Sequence, residues 1–364
     1  MLSLGVNCAL DSEETRFPLC GDTSAQLDAS RSVVKLNSAG EFVLGETPLV
    51  PNGINSYFLL QYVGFGRTDE VIAVMHKAKE LGRPVIRTNG FFEGVEGSTN
   101  PAILRDETGE LGEEGFQKLD QLLDIAARQG VRLILVLSNH WDDFGGARAV
   151  LAQALRATES PHDVVNAWAE IIPQEQWPSE GSYPRELFYW HEPVIGAQIA
   201  YVSYLINREN SINGRAYRND PTIFAWEITN EARCEVAACN ADSGMANPLP
   251  SWAKRMSEVV RRAGASQLIA WGGAGYQGEH GEDMRVIAET APEIDILTLH
   301  QYPLVLDAPD LTSEEALEKA NTAGLEVARG IRSLATLVDD LGSRVLAVDE
   351  GALEREVDEA RDDA

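Results

Sequence analysis

Apolar and polar positions follow two different periods along this chain. Seven short runs are almost continuously apolar: PLVPNGINSYFL (48–59), RPVIRTNGF (83–91), VRLILVLSNH (131–140), PTIFAWEITNE (221–231), SQLIAWGG (266–273), IDILTLHQYP (294–303) and RVLAVDEG (344–351). Between them, at 68–81, 113–129, 191–209, 250–264, 282–290 and 313–341, apolar residues recur three and four apart, and several of these stretches close on glycine, as at Gly82, Gly130 and Gly342. A continuously apolar run suits a parallel strand buried on both faces, and the helical stretches supply the crossovers. With this many units and no glycine-rich phosphate loop after the first strand, the pattern predicts a (β/α)8 TIM barrel rather than a doubly wound sheet. Residues 1–45 are polar and aperiodic, which reads as an irregular N-terminal arm preceding a single domain over 46–364. Residues 142–190, rich in Trp, Pro and charge, read as a long insertion after the third strand that shapes one wall of a site.

In barrels the chemistry sits where strands end and the following loops begin. The polar residues at those ends are Arg87, then Asn139 with His140 and Trp141, then Asn230 with Glu231, then Trp271, then His300 with Tyr302, then Glu350. Two carboxylates at equivalent ends, Glu231 and Glu350, are expected to face each other across the barrel mouth. A retaining glycosidase needs two carboxyls about 5 to 5.5 Å apart, one as nucleophile and one as general acid and then base. For either carboxylate alone, a solvated loop position or a helix-terminal acid is the plain alternative. Arg87 interrupts an apolar run and so requires an anionic partner, for which Glu350 is the candidate; a structural ion pair is the alternative. Asn230 can hydrogen-bond a sugar hydroxyl or merely cap the turn. His300 and Tyr302, two apart on a strand, share a face and are placed to orient the carboxylates. Trp141 and Trp271 are candidate stacking platforms for the apolar face of a sugar, against the simpler role of core packing. His140 with Asp142 and Asp143 lacks a third well-spaced ligand, so neither metal nor cofactor is expected.

Composition narrows the partners. Against 57 acidic residues stand 30 basic ones, only six of them lysine, for a formal net charge of -27 over 364 residues. A polyanion is repelled by such a surface, which excludes nucleic acid and anionic membranes and leaves a neutral substrate. The hydrophobic share of 44% fits an ordinary globular chain, and no apolar run has the length of a membrane span. Four cysteines fall into two sequence-near pairs, Cys8 with Cys20 and Cys234 with Cys239, without CxxC or zinc spacing. Paired spacing leans towards disulfides and an oxidising compartment, so a secreted or extracellular location is expected although MLSLGVNCALDSEE contains no intact signal peptide. A monomer is expected.

The stretch FYWHEPVIGAQIAYVSYLINRENSINGRAYRNDPTIFAWEITNEARC (188–234) resembles the glycoside hydrolase family 5 endo-β-1,4-mannanases. RTNGFF (87–92), LSNHWDDFGG (137–146), LTLHQYP (297–303) and AVDEG (347–351) are similar to further blocks of that family, in the same order. The resemblance implies a (β/α)8 retaining hydrolase acting on mannan, glucomannan or galactomannan, with Glu231 as acid/base and Glu350 as nucleophile. It also implies sugar-site roles for Arg87, Asn139, Trp141, Asn230, His300 and Tyr302, and a local disulfide between Cys234 and Cys239. An exo-acting β-mannosidase, a β-glucanase and an inactive carbohydrate-binding remnant share the same scaffold and stand as alternatives. The chain departs from the family pattern at Ala232, where proline is usual, and at His140, where the family has a second Asn. Only residues 351–364 follow Glu350, with no tryptophan among them, so the eighth βα unit is expected to be lacking from this chain.

Overall fold

The computed structural model describes residues 32–49, 51–158, 164, 168, 172, 183–236, 239, 246–274, 283–301 and 344–349. Seven of its strands form one parallel sheet: β4 (Gly53–Asn55), β5 (Val85–Asn89), β6 (Arg132–Val136), β7 (Ile223–Ala232), β8 (Leu268–Gly273), β9 (Ile296–Gln301) and β10 (Arg344–Asp349). They lie side by side in chain order, and β10 comes back to within 8 Å of β4, so the sheet curls into a barrel. Each of the seven apolar runs contributes one strand of this sheet.

The helices pack outside. Among the described residues they are α1 (Leu59–Gly64), α2 (Thr68–Glu80), α3 (Glu113–Gln129), α4 (Gly146–Thr158), α5 (Leu187–Trp190), α6 (Glu192–Asn207), α7 (Pro248–Arg262) and α8 (Met284–Thr290). In α3, Phe116, Leu119, Leu122, Leu123 and Ala126 recur on one face and are buried, Glu113 and Glu114 occupy the first turn, and Gly130 stops the helix in the left-handed conformation. Asn247 caps α7 by accepting from the Leu249 N–H, and Pro248 follows in the first turn.

Two expectations change. The described part of the stretch read as an irregular arm, residues 32–45, contains two strands, β1 (Val34–Leu36) and β2 (Phe42–Leu44), which form a three-stranded antiparallel meander with β3 (Thr47–Pro48) just beyond it. Val34, Leu36, Phe42 and Leu44 pack against Val85, Ile134, Phe224, Leu268 and Ile296 at the N-terminal ends of the barrel strands, closing the end opposite the candidate site. Runs of three residues are too short to show a period, which is why the meander was not legible. The supposed insertion 142–190 opens with a regular helix, α4, whose Val150, Leu151 and Leu155 join the main core. Its Trp-, Pro- and charge-rich composition reflects the later residues. The helix expected over 313–341 lies outside the described residues.

Candidate active site

β7 carries the centre of the site, and its geometry is irregular for a physical reason. Its register against β8 shifts twice, between Glu227 and Asn230 and again between Asn230 and Ala232. A Cβ on Gly272 of β8 would lie 1.9 Å from the Thr229 carbonyl oxygen, so only glycine lets the bulged strand approach this closely. The bulge puts Glu231 at φ 53°, a left-handed conformation that costs a non-glycine residue roughly 1–2 kcal/mol and persists only where surroundings enforce it. Those surroundings are hydrogen bonds to the segment just after β6: the Asn230 N–H donates to the Ser138 carbonyl at 2.8 Å and the His140 N–H to the Asn230 carbonyl at 3.0 Å.

Glu231 is 3% exposed. Trp141 Nε1–H donates to its Oε2 at 2.7 Å, and His300 Nδ1 lies 2.9 Å from Oε1. When the carboxyl is ionised, both neighbours are donors, and between them they fix the plane of the group. Arg233 stands 4.0 Å from Oε2 with its guanidinium 4.6 Å from the Trp141 ring centre; Arg185 approaches the same ring at 5.7 Å. Asp142 holds Arg185 and Arg148 in ion pairs at 2.7 and 3.1 Å, and the two guanidiniums keep its carboxyl below the usual range despite partial burial. His140 stacks on Tyr189 with planes 5° apart and shares a 3.0 Å hydrogen bond with its hydroxyl. Burial first, then the positive charges of Arg185 and Arg233, push the His140 imidazole down to about 3, so it is neutral at ordinary pH.

Around Glu231 opens a cleft of about 220 Å³, lined by Asn55, Tyr57, Arg87, Asn89, Asn139, Trp141, Asp143, Phe144 and Asn230. Of the residues proposed from sequence, the structure therefore brings Arg87, Asn139, Trp141, Asn230, Glu231 and His300 together at one end of the barrel. Tyr302 and Glu350 lie outside the described residues. β10 ends at Asp349, paired with Gln301 at the same edge of the sheet. Cys234 and Cys239 are joined by a disulfide with Cα atoms 5.7 Å apart, in the loop that leaves β7.

One reading is corrected and one residue is added. Trp271 is 0% exposed and packs edge-on against Trp252 at 5.9 Å, so it has no free face to offer a sugar; it is a core residue. Arg87, 3% exposed, has a buried anion that the sequence did not single out, Glu227: Arg87 donates from Nη2 at 2.6 Å and from Nε at 3.1 Å to a carboxylate that is itself 0% exposed, while the expected partner Glu350 lies outside the described residues. Sequence reasoning passed over Glu227 although its signal was present, a charge between Trp226 and Ile228 in an otherwise apolar strand. Asn55 and Asn89, also overlooked, end strands in the manner of the residues that were found. Tyr57 and Phe144 were invisible because they reach the cleft through loops, Phe144 with a positive φ of 53°.

Comparisons with known proteins bear on the family and the fold. The GH family 5 beta-mannosidase-like family model matches residues 75–357. Mannan endo-1,4-beta-mannosidase 1 of Arabidopsis thaliana is 28% identical over 281 residues, which is 72% of this chain but 59% of that relative, so this chain spans under two thirds of its length. Among solved structures, the endo-1,4-beta-mannanase from Rhizomucor miehei superposes with a TM-score of 0.58 at 25% identity, covering 88% of this chain and 90% of that one. A glycoside hydrolase family 5 mannosidase from the same organism reaches a TM-score of 0.66 over 86% of this chain and 72% of its own; at 18% identity that likeness bears on the fold alone, a (β/α)8 barrel.

Proposed function

The chain belongs to the GH family 5 beta-mannosidase-like family, and from that premise we propose that it is a retaining glycoside hydrolase cleaving internal β-1,4-mannosidic bonds of mannan, glucomannan or galactomannan. The observation that carries the reading is the Glu231 carboxyl, held at the floor of an open polar cleft between the indole of Trp141 and the imidazole of His300. A general acid must present its proton along one direction, and two fixed neighbours supply that direction.

In the proposed reaction the Glu350 carboxylate attacks the anomeric carbon as Glu231 gives its proton to the departing glycosidic oxygen. The covalent mannosyl-enzyme is then opened by a water molecule that surrenders a proton to Glu231, and Glu350 leaves as a carboxylate. Asn230 and Asn139 offer amide groups to the sugar hydroxyls, and the Trp141 and Tyr57 rings offer apolar faces at the rim. The Cys234–Cys239 disulfide supports an oxidising, extracellular working place, and the neutral polymer suits a surface as acidic as this one. We read the protein as a monomer, which light scattering at several concentrations tests.

Reducing-sugar release from galactomannan, glucomannan and cellulose decides the assignment. Activity on the mannans is the expected result, lowered at least about 10²-fold in Glu231→Ala, since proton transfer by a positioned group contributes about 10² to 10⁴-fold, and lost in Glu350→Ala, which has no nucleophile to form the covalent intermediate. Release from cellulose alone would replace the mannanase reading with a glucanase on the same scaffold.

A further inference from the structure

A buried carboxylate, Glu227, stands at one end of a hydrogen-bond chain that runs to residues lining the cleft. The oxygen and nitrogen of an asparagine amide exchange places on a half turn, so their orientation is decided by neighbours. Arg87 has donors and no acceptor; its Nη2 is 2.7 Å from the Asn230 side chain, so the atom it meets is Oδ1. Asn230 Nδ2 then faces Asn139 Oδ1 at 3.0 Å, and that same oxygen accepts from the backbone N–H of Trp141 at 3.2 Å, another group that only donates. Asn139 Nδ2 in turn donates to the Asp143 carbonyl at 3.3 Å. Donor-only groups therefore force both amides from both ends.

The chain is rooted in Glu227. Its carboxylate takes three contacts from Arg87, at 2.6, 3.1 and 3.1 Å, and is sealed in by Gly272, where even a Cβ would come within 2.3 Å of Oε1. Arg87 also reaches Asn55 Oδ1 at 3.2 Å, and Glu227 supplies a buried negative charge that compensates a guanidinium removed from water.

We propose that Glu227 is a positioning residue: by holding Arg87 in place it locks the Asn230 amide with its N–H side towards Asn139 and the cleft, so that a sugar hydroxyl next to Glu231 meets a donor. This rests on the glycosidase reading above and adds to it a residue that touches neither substrate nor reacting atoms. Replacing Glu227 by the isosteric glutamine frees the Asn230 amide to turn, and the cleft then presents an oxygen to the hydroxyl.

The test is a double-mutant cycle on β-1,4-mannopentaose with Glu227→Gln, Asn230→Ala and the two combined. Glu227→Gln is expected to lower kcat about 100-fold, the scale of losing one preorganised donor in a transition state, with KM little changed. In the Asn230→Ala background the same change is expected to cost almost nothing further. Additive losses, or a Glu227→Gln enzyme with undiminished kcat, overturn the proposal. If Glu227→Gln alone fails to fold, the Arg87→Gln, Glu227→Gln pair, which removes both buried charges, must show the same kcat loss; wild-type kcat there overturns the proposal equally. Should the wild-type chain be inert on mannopentaose, the glycosidase reading fails and the relay is judged on its own by hydrogen exchange of the Asn230 side-chain amide. Protection in the wild type that is lost in Glu227→Gln supports the lock, and equal protection refutes it.

Discussion

Glu231 and His140 show how strongly single residues here depend on their neighbours. The Trp141 indole and the His300 imidazole hold the Glu231 carboxyl from two sides. Trp141→Phe keeps most of the ring and removes the 2.7 Å donor; a hydrogen bond to a charged group contributes about 1.5 to 3 kcal/mol, so kcat is expected to fall at least about tenfold. A Trp141→Phe enzyme with the kcat of the wild type would show that the indole only packs. His140 gives a pH prediction. Its imidazole is held down to about 3 in the folded protein, against 6.5 as the ordinary value. Between those values the unfolded chain binds the extra proton and the native one does not. His140 therefore opposes folding increasingly as pH falls from about 6.5 towards 3, at up to about 1.4 kcal/mol per pH unit. Urea unfolding at a series of pH values is expected to find that His140→Asn loses less stability over this range than the wild type; parallel curves would contradict the assigned cause.

At the scale of elements, the decisive feature is the contact between β7 and β8. The sequence showed both strands clearly, but Gly272 gave no sign that the opposite strand carries a bulge against it. Gly272→Ala sets a methyl 1.9 Å from the Thr229 carbonyl oxygen, which backbone must yield to accommodate. Overpacking of this kind costs about 1–3 kcal/mol and more where backbone is the obstacle. Chemical unfolding is expected to show that loss, and activity is expected to fall further than stability because the displaced strand carries Asn230 and Glu231. A Gly272→Ala protein with unchanged stability and kcat would mean that the bulge relaxes freely. The meander at the barrel's other end illustrates the converse: β1 and β2 are too short to declare themselves, and they exist because Val34 and Phe42 find an open apolar barrel end to cover.

For the whole molecule, charge is the property that acts at a distance. A net charge of -27 makes the folded chain repel itself, and raising ionic strength shortens the Debye length from about 10 Å at 0.1 M to about 3 Å at 1 M. The melting temperature is expected to rise with NaCl over that range, whereas a flat or falling trend would show that the exposed ion pairs, weakened by the same screening, matter more. The seven-strand parallel architecture and the clustering of polar residues at strand ends were determined by the sequence itself, because apolar runs and helical periods are local properties that any window of the chain displays. Arg87 likewise announced its need for an anion, since a guanidinium in an apolar run has to be compensated. That Glu227 on β7 is such an anion was shown only by the tertiary structure, as was the burial of Trp271 against Trp252 rather than beside a sugar. Both depend on which face of a strand points inward once register shifts and curvature are summed over several neighbours, and a one-residue slip reverses every side chain, so no local pattern can carry that information.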